Sequence, residues 1–131
     1  MKKYICAHLT SGLGNRLFQL AGAAYWAAQT HRTLIWLDSY VDEPVHNLMD
    51  NLWLREMLNV PQFIEMDTLT KEHWRTTNSS LVFSSSDVVI VEGYSFDASR
   101  VDFLRPYIQD YIDRISTKKI PRAFVHVRLG D

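Results

Sequence analysis

The stretch that decides the fold is YICAHLTSGLGNRLFQLAGAAYWAAQTHRTLIWLD, residues 4–38. It opens on a short apolar run (4–9) and closes on another (33–38), and both have the length and composition of strands buried on two faces. Residues 16–31, between them, are rich in alanine and free of proline, which predicts a helix packed closely on a sheet. Strand, helix and strand in this order form a βαβ unit with a right-handed crossover.

The rest of the chain continues the alternation of strands and helices. DVVIVEGY (87–94) predicts a buried strand, and apolar residues at three- and four-residue spacing predict a helix over 97–116. Pro106 lies inside that helical pattern and marks a kink or a helix start. Less regular patterns predict four shorter elements, namely a helix at 47–58, a strand at 62–65, a helix at 69–75 and a strand at 81–83. The organisation predicts an α/β fold with a largely parallel sheet.

Composition restricts the class of protein. The chain has 131 residues, of which 47% are apolar, and this is enough for one domain or for half of a larger protein. A net charge of -1 gives no indication of a nucleic-acid-binding surface, so we expect no nucleic-acid partner. The single cysteine, Cys6, excludes a disulfide framework and indicates a reducing compartment. No signal peptide or membrane-spanning run is visible, so we expect a cytoplasmic protein.

The first candidate site is the glycine turn SGLGN, residues 11–15, between the first predicted strand and helix. Ligands of open α/β sheets bind at the carboxyl ends of strands, where such a turn exposes backbone N–H groups at a helix N-terminus. Gly12 and Gly14 supply backbone freedom, and Asn15 can cap the helix or donate to a ligand. Arg16 places a cation where the helix dipole disfavours it, which a nearby anion or solvent exposure would explain. The dinucleotide and P-loop fingerprints are incomplete, so a structural turn and a phosphate or sugar contact both stay open.

The second candidate site is FVHVRLGD, residues 124–131. A strand places His126 and Arg128 on one face, and arginine suits bidentate phosphate contact. An ordinary salt bridge between Arg128 and Asp131 is the structural alternative.

These motifs together resemble those of the α-1,2-fucosyltransferase family and, more broadly, of the GDP-fucose-using fucosyltransferases. SGLGNRLFQLAGAAYWAA (11–28), VEGYSFDASRVDFLRP (91–106) and FVHVRLGD occur in the family's order and approximate spacing. The family motifs read G-G-L-G-N-Q-L-F-Q, G-Y-F-Q-S-x-x-Y-F and H-x-R-R-x-D. The resemblance implies a GT-B-like fold of two Rossmann-like domains and transfer of fucose from GDP-fucose to a sugar hydroxyl with inversion and without a metal or cofactor.

The resemblance assigns roles position by position. His126, Arg128 and Asp131 match the H-x-R-R-x-D motif, whose first arginine grips the donor diphosphate, so Arg128 is the expected catalytic residue. Leu129 departs from the second arginine of that motif. Gly12, Gly14 and Asn15 match the glycine motif and are expected substrate contacts.

The same resemblance divides the chain into an N-terminal Rossmann-like domain, 1–118, and a linker with the first strand of a donor-binding domain, 119–131. The partners it implies are a nucleotide-sugar donor and a glycan acceptor. Because such enzymes need about twice this length, we expect these 131 residues to be incomplete and inactive alone. A non-catalytic carbohydrate- or protein-binding remnant is the alternative, and a generic nucleotide-binding module is a third.

Overall fold

The computed structural model describes residues 2–10, 13–38, 56, 58–61, 68–93 and 97–116. In chain order its elements are β1 (Tyr4–Leu9), α1 (Leu13–Thr30), β2 (Thr33–Asp38), β3 (Lys71–Arg75), a 3-10 helix (Ser79–Phe83), β4 (Val88–Glu92) and α2 (Ala98–Ser116). The four strands form one parallel sheet in the order β2-β1-β4-β3. The predicted α/β class with a parallel sheet flanked by helices is confirmed.

The sheet is buried on both faces, as the apolar runs of its central strands require. Side chains that alternate along each strand form a first face, which packs against α1 and α2, and a second face on the opposite side. The first face consists of Ile5, Ala7, Leu9, Leu34, Trp36, Val89 and Val91. The second face consists of Cys6, Ile35, Val88 and Ile90. None of these side chains is more than 5% exposed, so both faces contribute to the core.

The strands predicted at 4–9 and 33–38 are confirmed, as are the buried strand within 87–94 and the helix near the end of the described chain. Pro106 lies inside α2 and does not start it, because the helix begins at Ala98. Asp97 caps this start, since its Oδ1 accepts the backbone N–H of Ser99 at 2.9 Å, and the bonds from the Ser99 hydroxyl and N–H lower the pKa of Asp97. The helix predicted at 47–58 and the strand at 62–65 lie outside the described residues, apart from Glu56 and Leu58.

Two of the shorter predictions are wrong. Residues 69–75 are not a helix but contain β3, an edge strand whose charged side chains are partly or fully exposed. Residues 81–83 are not a strand but lie in the 3-10 helix, which Asn78 begins by accepting the backbone N–H of Ser80 at 2.9 Å. Only Leu81 of that apolar run is buried, and Phe83 is 85% exposed. A short apolar run therefore did not indicate burial here.

Helix α1 ends without a glycine. His31 adopts the left-handed conformation, with φ of 55°, and the N–H of Arg32 bonds to the carbonyl of Ala27 at 3.0 Å. This is the Schellman arrangement, with a histidine at the position that glycine usually occupies. Arg32 then donates to the carbonyls of Ser86 and Ser84 at 2.7 and 2.9 Å, so the end of α1 is tied to the loop before β4.

The end of β3 is anchored to both helices through Thr76, which is 2% exposed. Gly22 of α1 allows the approach, because a Cβ at that position would lie only 2.6 Å from Thr76 Oγ1. The indole N–H of Trp26 donates to the Thr76 carbonyl at 2.7 Å, and Arg100 of α2 donates to the same oxygen at 3.1 Å. The Arg100 guanidinium also lies over the ring of Tyr25, 4.3 Å from its centroid.

Neither helix within the described ranges combines the length and the hydrophobicity that a bilayer crossing requires.

We expect Gly22→Ala to destabilise the fold by about 1–3 kcal/mol, because the new methyl group overlaps Thr76 in a packed interface. The matched control is Gly14→Ala in the same helix, where a Cβ would meet no atom within 4 Å. That change should be neutral or stabilising by up to about 1 kcal/mol. Urea unfolding of both variants measures the difference, and equal stabilities would contradict the close approach of Gly22 to Thr76.

Cys6 offers a second test of the buried sheet. Burial raises the pKa of its thiol to about 12, so thiolate is scarce in the folded chain near neutral pH. We expect the folded chain to react with a disulfide reagent such as DTNB only as fast as it opens, and the urea-unfolded chain to react at once. Rapid labelling of the folded chain with one equivalent would show that the second face is accessible.

Candidate ligand site at the carboxyl edge of the sheet

All four strands are parallel, so their carboxyl ends lie along one side of the sheet, called here the carboxyl edge. The N-terminal turn of α1 follows directly from the end of β1 at this edge. In open α/β folds ligands bind outside these strand ends. The described part of the edge contains three features. They are the part of the glycine motif that lies in α1, the buried side chain of Gln19 that clamps Thr10, and a cluster of two histidines and a glutamate.

Two residues of the predicted glycine turn belong to the helix itself. Gly14 and Asn15 lie in the first turn of α1, which starts at Leu13, and both are exposed. Asn15 therefore does not occupy the N-cap position, which was one of the two roles that the sequence allowed it. Gly14 does not have a positive φ and its side-chain space is open, so neither backbone strain nor packing demands a glycine there. The predicted contact residue Gly12 lies outside the described residues.

An exposed first turn without a side chain at Gly14 leaves backbone N–H groups accessible. The first N–H groups of a helix have no carbonyl partner within the helix and carry the positive end of its dipole. The open space around Gly14 brings a ligand atom within reach of these donors, which a larger side chain would obstruct.

Gln19 holds the start of the glycine loop. Its Oε1 accepts the backbone N–H of Thr10 at 2.8 Å, and its Nε2 donates to Thr10 Oγ1 at 2.7 Å. Gln19 is only 3% exposed, so both bonds lie in a protected environment. A side chain in the second turn of α1 thus fixes the residue that leaves β1.

Arg16 is fully buried, with 0% of its surface exposed. Solvent exposure, one of our two explanations for a cation at this helix start, is therefore wrong. No buried side-chain nitrogen or oxygen of the described residues lacks a hydrogen-bond partner, which includes the guanidinium of Arg16. A buried, satisfied arginine is a structural part of the motif.

The cluster comprises His8 of β1, Glu92 of β4 and His73 of β3. The Nδ1 atoms of His8 and His73 lie 3.3 and 3.2 Å from the same oxygen, Oε1 of Glu92. The side chain of His8 is 23% exposed, that of Glu92 44% and that of His73 61%, so the cluster opens to solvent towards the edge strand. Pairing of β1 with β4 sets His8 directly beside Glu92.

Our reading of the sequence missed this cluster. His8 and Glu92 each lie at or next to the end of a strand that the sequence predicts. Polar residues at these positions could have indicated a site. His73 carries no such indication, because the pattern of residues 69–75 predicts a helix. Trp74, the next residue of β3, packs against the core, and its indole N–H donates to Glu72 at 2.9 Å.

The predicted donor-phosphate motif is not tested by the fold. His126, Arg128 and Asp131 all lie outside the described residues. Within the described ranges, no group of three or more His, Cys, Asp or Glu side chains has the geometry to hold a metal ion.

Solved structures with a similar fold include fucosyltransferases. The crystal structure of the fucosyltransferase NodZ from Bradyrhizobium matches with a TM-score of 0.51 at 13% identity, over 89% of this chain and 56% of NodZ. That of NodZ alpha-1,6-fucosyltransferase co-crystallized with GDP gives a TM-score of 0.48 at 14% identity, over 89% and 55%. No family model and no curated protein sequence matches the chain.

The chain therefore has a fucosyltransferase-like fold and spans little more than half the length of NodZ, 56%. The resemblance to the α-1,2 branch is not confirmed by these comparisons and stays a prediction.

The role of Gln19 as a clamp is testable by Gln19→Ala, which leaves the Thr10 N–H without its acceptor. We expect a loss of about 1–3 kcal/mol in unfolding free energy and faster amide exchange at Thr10. Gln29→Ala is the matched control, because Gln29 is exposed near the end of the same helix. It should change stability by less than about 0.5 kcal/mol. Equal effects of the two changes on urea unfolding would refute the clamp.

Proposed function

We propose that residues 1–131 belong to a GDP-fucose-dependent fucosyltransferase, most similar in its motifs to the α-1,2 branch. In this proposal residues 1–118 are its N-terminal Rossmann-like domain, and residues 119–131 lead into the donor-binding domain. The reaction is transfer of fucose from GDP-fucose to a hydroxyl of a glycan acceptor.

The observation that carries the proposal is the position of SGLGNRLFQ. The motif, identified from sequence by its resemblance to the fucosyltransferases, starts at the end of β1 and enters α1 at the carboxyl edge. The fold around it resembles that of a fucosyltransferase over 89% of the chain. Motif resemblance and fold similarity are independent observations, since the identity to NodZ is only 13%. Their agreement favours this reading over a generic nucleotide-binding module.

The motif separates into ligand-facing and structural positions. Gly14 and Asn15 are exposed at the first turn of α1, where they can meet a substrate, whereas Arg16 and Gln19 are buried. We assign substrate contact to Gly14, Asn15 and, from the resemblance, Gly12. This arrangement supports a site in which backbone donors contact hydroxyl or phosphate oxygens.

In this proposal the second motif, residues 124–131, contacts the donor and assists its reaction. Charge builds on the diphosphate as the bond to fucose breaks, so a cation fixed there stabilises the transition state more than the ground state. We assign this role to Arg128, with His126 and Asp131 contacting the donor or orienting the guanidinium. Leu129 in place of the family's second arginine leaves Arg128 as the main phosphate ligand of the motif.

The proposal is tested by assaying the intact protein with GDP-fucose and galactoside acceptors, with GDP-mannose and UDP-galactose as alternative donors. We expect fucose transfer, and a fall in kcat of about 10²–10³-fold in Arg128→Lys, which keeps the charge but loses the bidentate fork. Arg122→Lys is the matched control, because Arg122 lies six residues upstream and outside the motif. Its turnover should equal that of the wild type.

Three results would count against parts of this proposal. Transfer from another nucleotide sugar in place of GDP-fucose would reject the fucosyltransferase assignment. Equal turnover of Arg128→Lys and the wild type would show that the bidentate contact of Arg128 with the phosphate has no role in the transfer. Binding of galactosides by the intact protein without transfer from any donor would favour a carbohydrate-binding function.

A further inference from the structure

The carboxylate of Glu92 determines which nitrogen of each neighbouring imidazole carries a hydrogen. A carboxylate only accepts hydrogen bonds, so Nδ1 of His73 is the donor of its 3.2 Å hydrogen bond to Oε1. Nδ1 of His8 lies 3.3 Å from the same oxygen, at ion-pair distance, and a carboxylate there favours a hydrogen on Nδ1 over a lone pair. In a neutral imidazole the other nitrogen, Nε2, then has a free lone pair. Among the described residues, neither Nε2 has a hydrogen-bond partner. The cluster therefore presents basic nitrogens at the carboxyl edge.

We propose that this cluster receives the acceptor sugar, with Nε2 of His8 accepting the hydrogen bond of the hydroxyl that becomes fucosylated. The inference rests on the proposed function and adds the residue that activates the acceptor. It concerns a part of the site that the glycine motif and the donor motif leave unassigned.

The proton balance of the transfer requires such a group. The acceptor oxygen forms a bond to C1 of fucose, and the bond from C1 to the phosphate oxygen breaks, with its electron pair leaving on GDP. The hydroxyl proton passes to Nε2 of His8, which becomes an imidazolium. Glu92 stabilises this cation at Nδ1–H and holds the ring in the required tautomer, so Glu92 is a positioning residue.

His8 is better placed for this role than His73. It lies on β1, the strand that leads into the glycine motif, and Gln19 holds Thr10 just beyond it. His73 lies on the edge strand and is 61% exposed, against 23% for His8, so its ring is less constrained. A base needs a fixed orientation towards the hydroxyl, and the partly buried ring beside Glu92 has it. His73 donates a hydrogen bond to Glu92 and so helps to hold its carboxylate.

The first experiment requires no mutation and no turnover. Long-range ¹H–¹⁵N NMR of the 131-residue chain reports which ring nitrogen of each histidine is protonated, and methyl β-galactoside is then titrated in. We expect the Nδ1–H tautomer for His8 and His73, and a shift of the His8 Nε2 resonance with sugar. His31, which lies at the opposite edge of the sheet beyond α1, is the internal control and should not shift.

The second experiment changes the positioning residue. In Glu92→Gln the side-chain amide can donate a hydrogen bond to Nδ1 of His8. The hydrogen of the ring can then reside on Nε2, and Nε2 no longer accepts a hydrogen bond. We expect a shift of His8 towards the Nε2–H tautomer and loss of its response to galactoside. The backbone amide spectrum verifies that the variant is folded. A His8 tautomer and sugar response unchanged by Glu92→Gln would overturn the inference.

Turnover gives the third readout. In the intact protein, His8→Asn should lower kcat by about 10²–10⁴-fold with the KM for GDP-fucose unchanged, because only proton removal is affected. His31→Asn is the matched control and should keep full activity, since asparagine tolerates the left-handed conformation.

The outcomes for the two proposals are separable. Absence of transfer by the wild type rejects the proposed function, while the NMR titration still decides whether His8 meets a sugar. Fucose transfer at the full rate by His8→Asn, or a wild-type His8 that galactoside leaves unshifted, overturns the acceptor role of His8 alone.

Discussion

The contact on which the site depends is that between Gly22 and Thr76. A Cβ at position 22 would lie 2.6 Å from Thr76 Oγ1, so the edge strand reaches α1 only because a glycine stands there. The N–H of Thr76 bonds to the carbonyl of Glu92 at 2.8 Å, while Trp26 and Arg100 hold its carbonyl. The same anchor therefore positions the end of β4, and with it the carboxylate between two imidazoles.

Local sequence pattern predicted the parts of the fold that are buried on both sides. The sequence predicts strands at 4–9 and 33–38 because their apolar runs are interrupted only at or next to an end, by His8, Thr33 and Asp38. Lys71–Arg75 carries no such signal, since an edge strand is paired on one side and partly exposed. This strand forms because it pairs with β4. The pairing joins residues that are distant in the sequence, so local propensity does not predict it. The wrong helix prediction for 69–75 also concealed His73, one of the three residues of the cluster.

The candidate site was predictable to the extent that it lies on a motif. Gly14 and Asn15 were expected at the end of a strand and are found there, although in the helix and not in the loop before it. The buried positions of Arg16 and Gln19 could not be foreseen, because a polar residue at a helix start is usually solvated. Gln19 is bonded to Thr10 at the end of β1, so in the proposed function the motif combines substrate contact with support of the chain that leaves β1.

In the proposed function the base and the cation lie on different segments of the chain, which fits the chemistry of the transfer. A leaving diphosphate needs a permanent positive charge, which an arginine supplies, whereas an acceptor hydroxyl needs a neutral lone pair. The positive charge of an arginine disfavours protonation of an imidazole directly beside it. A base that must take up a proton therefore works best away from the phosphate-binding arginine. Nδ1 of His8 lies 3.3 Å from a carboxylate oxygen of Glu92, and His8 belongs to the first strand of the chain. Arg128 belongs to the separate motif 124–131, and in the proposed function it serves the leaving diphosphate while His8 serves the acceptor hydroxyl.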